Sequence, residues 1–410
     1  MVHQTMKISS APAPMASSKS TSITVSFLKV LRQGTAWVIL GSLAACAVSP
    51  PPTRTLPPGE PAGLVVKPEP VERPRAVLQR ERSRWVAADW SELPGWGQDR
   101  AAELWPALLR GCVRPAIDWA ALCARASLAP PTDDNEAALW LMQHLQPYRV
   151  EANDGEAQGL ITGYYEPQLD ATRKPQGRFQ TPVLGPPADL QQRRPYLTRQ
   201  QIDTEPRAKL RAPELMFLED PLDLLVLQIQ GSGRLRVNLA DGSQQWIRMA
   251  FAGHNDQPYQ SIGKTLIERG ELRPGEASWP AIRDWMRRNP QKVRELLWVN
   301  PRYVFFREEP LPDTNIGPRG AQGVALTPGR SIAVDRASIP YGTPVWLDTT
   351  EPLSNTGLRR LVMAQDTGSA ITGAVRADYF WGWGVEAEQQ AGRMKQPLRL
   401  WALWPRAAGS

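Results

Sequence analysis

The stretch from Leu361 to Gly392, LVMAQDTGSAITGAVRADYFWGWGVEAEQQAG, constrains the fold more than any other part of the chain. An apolar, strand-like run, Leu361 to Ala364, ends in Asp366 and a small-residue loop containing Gly368 and Gly373. A second acid, Asp378, leads directly into Tyr379, Phe380, Trp381, Gly382 and Trp383. A third, Asp335 in IAVDRASIPYG, precedes another strand-like run from Thr343 to Leu347. Carboxylates at strand ends, beside glycine loops and clustered aromatics, point to a cleft for carbohydrate chemistry rather than a sealed core. Taken singly, each Asp also has a plainer use, capping a turn through its side chain.

The remaining apolar residues set the elements around this stretch. From Trp85 to Gln146 their spacing is helical: Trp105, Leu108 and Leu109 share a face, as do Ile117, Ala120, Ala121 and Ala124. Thr132-Asp133-Asp134 opens a third helix carrying Leu139, Trp140, Met142 and Leu145, on which His144 reads as a packed or surface residue. After Pro147 short strands alternate with Gly, Pro and Asn turns: Leu160 to Tyr165, Leu224 to Ile229, Leu235 to Leu239 and Gln245 to Met249. Helices are expected over Ser261 to Arg269, Trp279 to Arg288 and Gln291 to Val299, and strands from Tyr303 to Leu403. The fold class is therefore mainly β with N-terminal helices (α+β), and the many short strands argue for β-barrels.

Ahead of this body, residues 47 to 84 interleave Pro50, Pro51, Pro52, Pro57, Pro58, Pro61, Pro68, Pro70 and Pro74 with charges, which predicts an extended tether. Lys29 and Arg32 precede an apolar stretch, Thr35 to Ala45, too short for a bilayer and fitting a signal-peptide core. Leu43-Ala44-Ala45-Cys46 matches a lipobox, so Cys46 is the expected lipidation site, and its acyl chains would give a stable anchor. An ordinary cleaved signal with an incidental Cys is the alternative. Ala47 after the Cys favours the outer membrane, with the body facing the periplasm. The leader, residues 1–45, also explains most of the +7 formal charge, since Lys7, Lys19, Lys29 and Arg32 face no acid there. Removing these four from the 48 basic residues leaves 44 against 41 acidic, and with no long Lys/Arg run nucleic acid is not an expected partner.

Cys112 and Cys123 are the remaining cysteines. In an oxidising compartment they are a candidate disulfide, with two buried thiols on neighbouring helical turns as the alternative. Two cysteines do not build a common structural zinc site. With only His144 and His254 beyond the leader, no metal and no cofactor is expected.

Four stretches together resemble the membrane-bound lytic murein transglycosylase A (MltA) family: Thr162-Gly163-Tyr164-Tyr165-Glu166-Pro167, Gln230-Gly231-Ser232-Gly233, Ser261 to Leu272, and Asn300 to Phe306. The C-terminal part resembles that family's three-aspartate (3D) domain through Asp335, Asp366 and Asp378. The resemblance runs in order from about Trp85 to Trp404. It implies two domains flanking a deep groove. One is discontinuous, over 85–165 and 300–410, and contains a double-psi β-barrel; the other is a β-barrel inserted over 166–299. It also implies a murein lyase that cleaves peptidoglycan between N-acetylmuramic acid and N-acetylglucosamine and leaves 1,6-anhydromuramyl ends. The implied partners are glycan strands, the outer membrane and cell-wall synthesis proteins. Ser369 and Thr372 stand where the family often has Gly and Lys, and Trp383 is bulkier than usual, departures that touch subsites rather than the reaction.

The residues themselves rank the acids. Asp366 lies among Thr367, Gly368 and Ser369, whose hydroxyls and amides are expected to keep it ionised. Asp335 is followed by Arg336, an expected ion-pair partner, and reads as structural. Asp378 precedes three aromatics, surroundings that desolvate a carboxyl and raise its pKa as a general acid requires. The resemblance assigns its catalytic Asp to Asp378 and a second site acid to Asp366. Glu166 is the spare carboxylate, and Tyr164, Tyr165, Gln230 and Ser232 are candidates to line the groove. Two other classes fit parts of the pattern. An aspartic protease would use Asp366-Thr367-Gly368, but needs a second such loop that the chain lacks. A non-enzymatic wall-binding lipoprotein would use the same groove.

Overall fold

The computed structural model describes residues 75–115, 118–239 and 242–406, so the expected signal segment, Cys46, Ile117 and most of the expected proline-rich tether lie outside the described residues. The first strands are β1 (Val77–Gln79), β2 (Arg84–Ala87), β3 (Leu145–Glu151) and β4 (Gly159–Glu166). The next are β5 (Gln168–Ala171), β6 (Thr181–Leu184), β7 (Glu214–Leu218), β8 (Ser232–Asn238), β9 (Gln244–His254) and β10 (Val304–Pro310). The last are β11 (Ser331–Val334), β12 (Pro344–Thr350), β13 (Gly357–Asp366), β14 (Arg376–Trp383) and β15 (Lys395–Pro405). The first and last groups form one sheet in the order β1-β2-β3-β15-β12-β13-β11-β14-β4. Because β4 also pairs with β15, the strands β15, β12, β13, β11, β14 and β4 close into a ring, which removes their exposed edges.

Period-two alternation fills both sides of this ring. Val345, Leu347, Val362, Ala364, Leu400 and Ala402 join Ile332, Val334 and Tyr379 in one core. Their sequence neighbours Trp346, Leu361, Met363, Trp401 and Leu403 face the opposite way, against α1 (Trp105–Gly111), α2 (Ala120–Leu128) and α3 (Asp134–His144). Burying each such Val, Leu, Ile or Met side chain contributes roughly 1.5–3 kcal/mol. A disulfide, Cys112–Cys123, ties the end of α1 to α2. Close packing at the start of β4 requires glycine: a Cβ on Gly159 would lie 1.7 Å from the Val375 carbonyl oxygen.

The middle group forms a second sheet, β10-β9-β8-β5, beside the β6–β7 pair, over a core that includes Leu227, Leu235, Ile247, Met249 and Phe306. Helices α4 (Arg199–Thr204), α5 (Arg207–Leu210), α6 (Pro221–Gln230), α7 (Ile262–Glu268), α8 (Trp279–Arg288) and α9 (Val293–Trp298) lie between these strands in sequence, and α10 (Gly384–Ala391) follows β14. No described helix is long and apolar enough to cross a membrane.

Three expectations change. Leu224 to Ile229 is helix, within α6, not strand: Asp220 accepts from Leu222 N at 2.8 Å, Pro221 occupies the first turn, and Gly231 ends the helix at φ 82°. Leu222, Leu224, Leu225, Val226 and Leu227 are all buried, so the helix shows no polar stripe and its sequence looks like a buried strand. Order also begins before residue 84, since β1 pairs with β2 inside the expected tether. The second sheet runs to Pro310, because β10 pairs with β9 beyond the expected boundary at 299.

Candidate active site

The ring's strand order gathers residues far apart in sequence into one row. Ala333 of β11 lies opposite Asp366 of β13 on one side and Asp378 of β14 on the other. Asp378 in turn lies opposite Thr162 of β4, and Phe380 opposite Tyr164. Two acids thus meet across β11, although β13 and β14 are consecutive in the chain.

Both acids are half-buried, and burial is the largest influence on each. Asp378 is pushed up to about 6 by burial; a hydrogen bond from Thr162 and the Arg376 charge oppose the shift, and the Asp366 charge adds to it. Thr162 Oγ1 donates to Asp378 Oδ1 at 2.6 Å, and the Arg376 guanidinium donates to the same Thr162 oxygen at 2.8 Å. Asp366 is also pushed up to about 6 by burial, despite accepting from Ala321 N at 2.9 Å on Oδ1 and from Tyr164 Oη at 3.0 Å on Oδ2. Of the expected donors the Thr367 turn amide does favour the ionised form, as do the Ala321 amide and Tyr164, but burial raises the value in spite of them. Desolvation outweighs the donors, and the Thr367 hydroxyl donates elsewhere, to Val334 O at 2.8 Å. Burial and the two carboxylates hold the Tyr164 phenol well above its ordinary value, so it stays a proton donor to Asp366. Its ring lies 5.2 Å from that of Phe380.

The other expected residues divide clearly. Asp335 accepts from Gly373 N at 2.8 Å and Ala337 N at 3.0 Å, pinning the β13–β14 loop to the end of β11. Its ion-pair partner is Arg82 at 3.2 Å rather than Arg336, whose guanidinium lies 5.8 Å from the Tyr341 ring centre. Glu166 is fully buried and clamped by Arg234 Nε and Arg248 Nε, each at 2.6 Å, so it is not a spare acid. The Trp383 ring stacks 3.5 Å from the same Arg234 guanidinium. Tyr165 is buried in the α6–α10 core, and its backbone N–H donates to Gln230 Oε1 at 3.1 Å. Tyr165 thus packs into a core, while Gln230 is half-buried and holds the Tyr165 backbone. Ser232, half-buried, opens β8 opposite Ala250. His144 packs edge-on to Trp140 at 4.6 Å.

Two contributors escaped the sequence reading. Arg376 had a signal, standing two residues before Asp378 and so on the same strand face. The Ala321 amide had none, because it arrives from a loop 45 residues away. Gln322, next to it, donates to Gly111 O at 3.1 Å and anchors that loop to α1. No group of three or more His, Cys, Asp or Glu side chains is placed to hold a metal among the described residues.

Comparison with known proteins places this arrangement. The family model of the MltA specific insert domain matches residues 160–307, and that of the 3D domain matches residues 330–404. The chain is 32% identical over 265 residues to membrane-bound lytic murein transglycosylase A of Vibrio cholerae, spanning 63% of this chain and 69% of that one. It is similar to the crystal structure of MltA from Neisseria gonorrhoeae, with TM-score 0.71 and 32% identity, covering 82% of this chain and 96% of that one. Escherichia coli MltA, solved with bound chitohexaose, matches at TM-score 0.61 and 25% identity, covering 82% and 95%.

Proposed function

This chain belongs to the MltA family and is a peptidoglycan lytic transglycosylase with a 3D domain, and we propose that Asp378 is its single general acid and base. One observation carries that choice between two acids of similar pKa. Both oxygens of Asp366 accept hydrogen bonds, from Ala321 N and Tyr164 Oη. Asp378 is engaged only at Oδ1, by Thr162, and among the described residues no donor reaches its Oδ2.

In this reading protonated Asp378 delivers its proton to the oxygen bridging N-acetylmuramic acid and N-acetylglucosamine. The bond from that oxygen to the muramyl C1 breaks, and positive charge develops at C1. The muramyl C6 hydroxyl then bonds to C1 and returns its proton to Asp378, which gives the 1,6-anhydro end without water. A hydrolase normally needs a second carboxylate to activate water or attack C1. Here intramolecular closure, worth roughly 7–11 kcal/mol in good geometry, stands in for it. Asp366, once ionised, supports the charge at C1, and Tyr164 holds it in place.

The wider proposal follows the same family. The closed ring, with its parallel pairs β11–β13 and β14–β4, is read as the double-psi barrel of a discontinuous catalytic domain. The second sheet belongs to an inserted domain across the glycan groove. Glycan strands are the substrate, and lipid on Cys46 anchors the chain to the outer membrane on the periplasmic side. Incubation with purified peptidoglycan followed by mass spectrometry tests the reaction. Anhydromuramyl ends are expected; reducing ends or no release would overturn it.

A further inference from the structure

We propose that Arg376 is a positioning residue that, through Thr162, confines the transferable proton of Asp378 to Oδ2. The inference rests on Asp378 being the acid. A threonine hydroxyl has one hydrogen and two lone pairs, whereas a guanidinium only donates. Arg376 donates to Thr162 Oγ1 at 2.8 Å, so one lone pair is taken and the single hydrogen is free to point at Asp378 Oδ1, 2.6 Å away. A proton placed on Oδ1 would collide with that hydrogen or leave it unpaired in a half-buried site, which costs a lost hydrogen bond. The proton is therefore directed to Oδ2, the oxygen that no described donor reaches. The direction is set before substrate arrives, and it is restored each cycle when Asp378 takes the C6 hydroxyl proton.

The backbone fixes this relay. Thr162 and Asp378 are register partners in the parallel β4–β14 pair, and Arg376 lies on the same face of β14 as Asp378. The guanidinium is itself held by the carbonyls of Leu160 and Ala377. The charged or titratable groups facing Asp378 are Arg376 on its own strand, Tyr164 on β4 and Asp366 on β13. Arg376 is the only cation among these, and its charge favours the ionised acid. Removing it therefore has two separable effects. The acid keeps its proton to higher pH, and it no longer holds that proton on the productive oxygen.

The test combines Arg376→Met, Arg376→Lys, Thr162→Val, Thr162→Ser, the Thr162→Val/Arg376→Met pair and Asp378→Asn, with pH–rate profiles on peptidoglycan. Melting curves and chitohexaose calorimetry on each variant identify those that remain folded and bind. Arg376→Met is expected to lower kcat about 10-fold, a part of what proton transfer contributes, with KM little changed. Its alkaline limb should move up by about one pH unit as the cation is lost. Arg376→Lys should return the limb, and Thr162→Ser should recover most of what Thr162→Val loses. The pair should be no slower than Thr162→Val alone, since both act through one hydroxyl. A folded Arg376→Met with wild-type kcat and limb, or strictly additive losses in the pair, overturns the relay while Asp378→Asn stays inactive. A fully active Asp378→Asn overturns the acid assignment itself.

Discussion

Strand β4 carries one end of each of two buried charge systems, and they have opposite characters. At Glu166 the carboxylate meets two guanidiniums, Arg234 and Arg248, each at 2.6 Å. At Thr162 the strand instead offers Asp378 a hydroxyl, while the nearest cation touches that hydroxyl rather than the acid. Burial takes water away in both places. Where counter-charges replace water, the acid is a fixed ion that joins β4 to β8 and β9. Where only neutral donors replace it, desolvation dominates and the acid holds a proton to about pH 6. The same strand thus supplies one end of a structural joint, Glu166, and the hydroxyl partner of Asp378, Thr162, and the two acids differ in the charge of their partners.

The largest effect that would break this contrast is on stability at the joint. Glu166→Ala leaves two buried guanidiniums without their anion and should cost about 3–5 kcal/mol in a denaturant titration. An Ala variant as stable as wild type would mean that solvent reaches the clamp. Asp378→Asn should behave in the opposite way. Release of anhydromuropeptides should fall about 10²-fold or more, with chitohexaose binding retained. Its stability should rise rather than fall. The folded-state value of about 6 lies above the ordinary 3.8, so the native state binds more protons than the unfolded chain between those values. Stability is therefore lost as pH rises from about 4 to about 6, and the full cost remains above 6. Asn removes that cost, and melting curves at pH 4 and pH 7.5 should separate from wild type only at the higher pH. Equal separation at both would remove desolvation as the cause.

Asp366→Asn gives a smaller change. It keeps an oxygen acceptor for only one of Ala321 and Tyr164, sets an amide N–H against the other, and loses the negative charge proposed to support C1, so turnover should fall about 10-fold. Because the Asp366 charge helps keep Asp378 protonated, the alkaline limb should move to lower pH in the same variant. A limb that stays put would mean that the two acids do not sense each other.

These contrasts were unevenly legible in the sequence. The ring's two faces could be read from alternation in Val345-Trp346-Leu347 and in Leu361 to Ala364, and Asp366 and Asp378 stood out at strand ends beside glycine loops and aromatics. What could not be read was the insertion of β11 between β13 and β14, which is what brings the two acids together. The fate of Glu166 was equally hidden, since its partners lie 68 and 82 residues downstream with no local pattern to link them. Local chemistry was incomplete at Asp366, where adjacent hydroxyls and amides suggested donors that favour the ionised acid, while three-dimensional burial raises its value to about 6 all the same. It misled at Leu224 to Ile229, because the consecutive buried residues Leu224 to Gln228 leave no amphipathic period to reveal a helix.

The smallest test concerns the residue that connects the two systems. Trp383 ends β14, the strand of Asp378, and its register partner on β4 is Glu166. Its ring stacks 3.5 Å from the Arg234 guanidinium that clamps Glu166. A stacked, largely desolvated cation of this kind is worth about 1–2 kcal/mol. Trp383→Leu should cost about that much stability, because the aliphatic chain keeps part of the packing but loses the ring face. Arg234 keeps its bond to Glu166, so the joint should hold. If joint and chemical group are independent, kcat and its pH limb should stay within about twofold of wild type, as for sites that share no partner. A large fall in kcat with unchanged stability would instead show that the end of β14 transmits the state of the Glu166 clamp to Asp378, and the two systems would have to be treated as one.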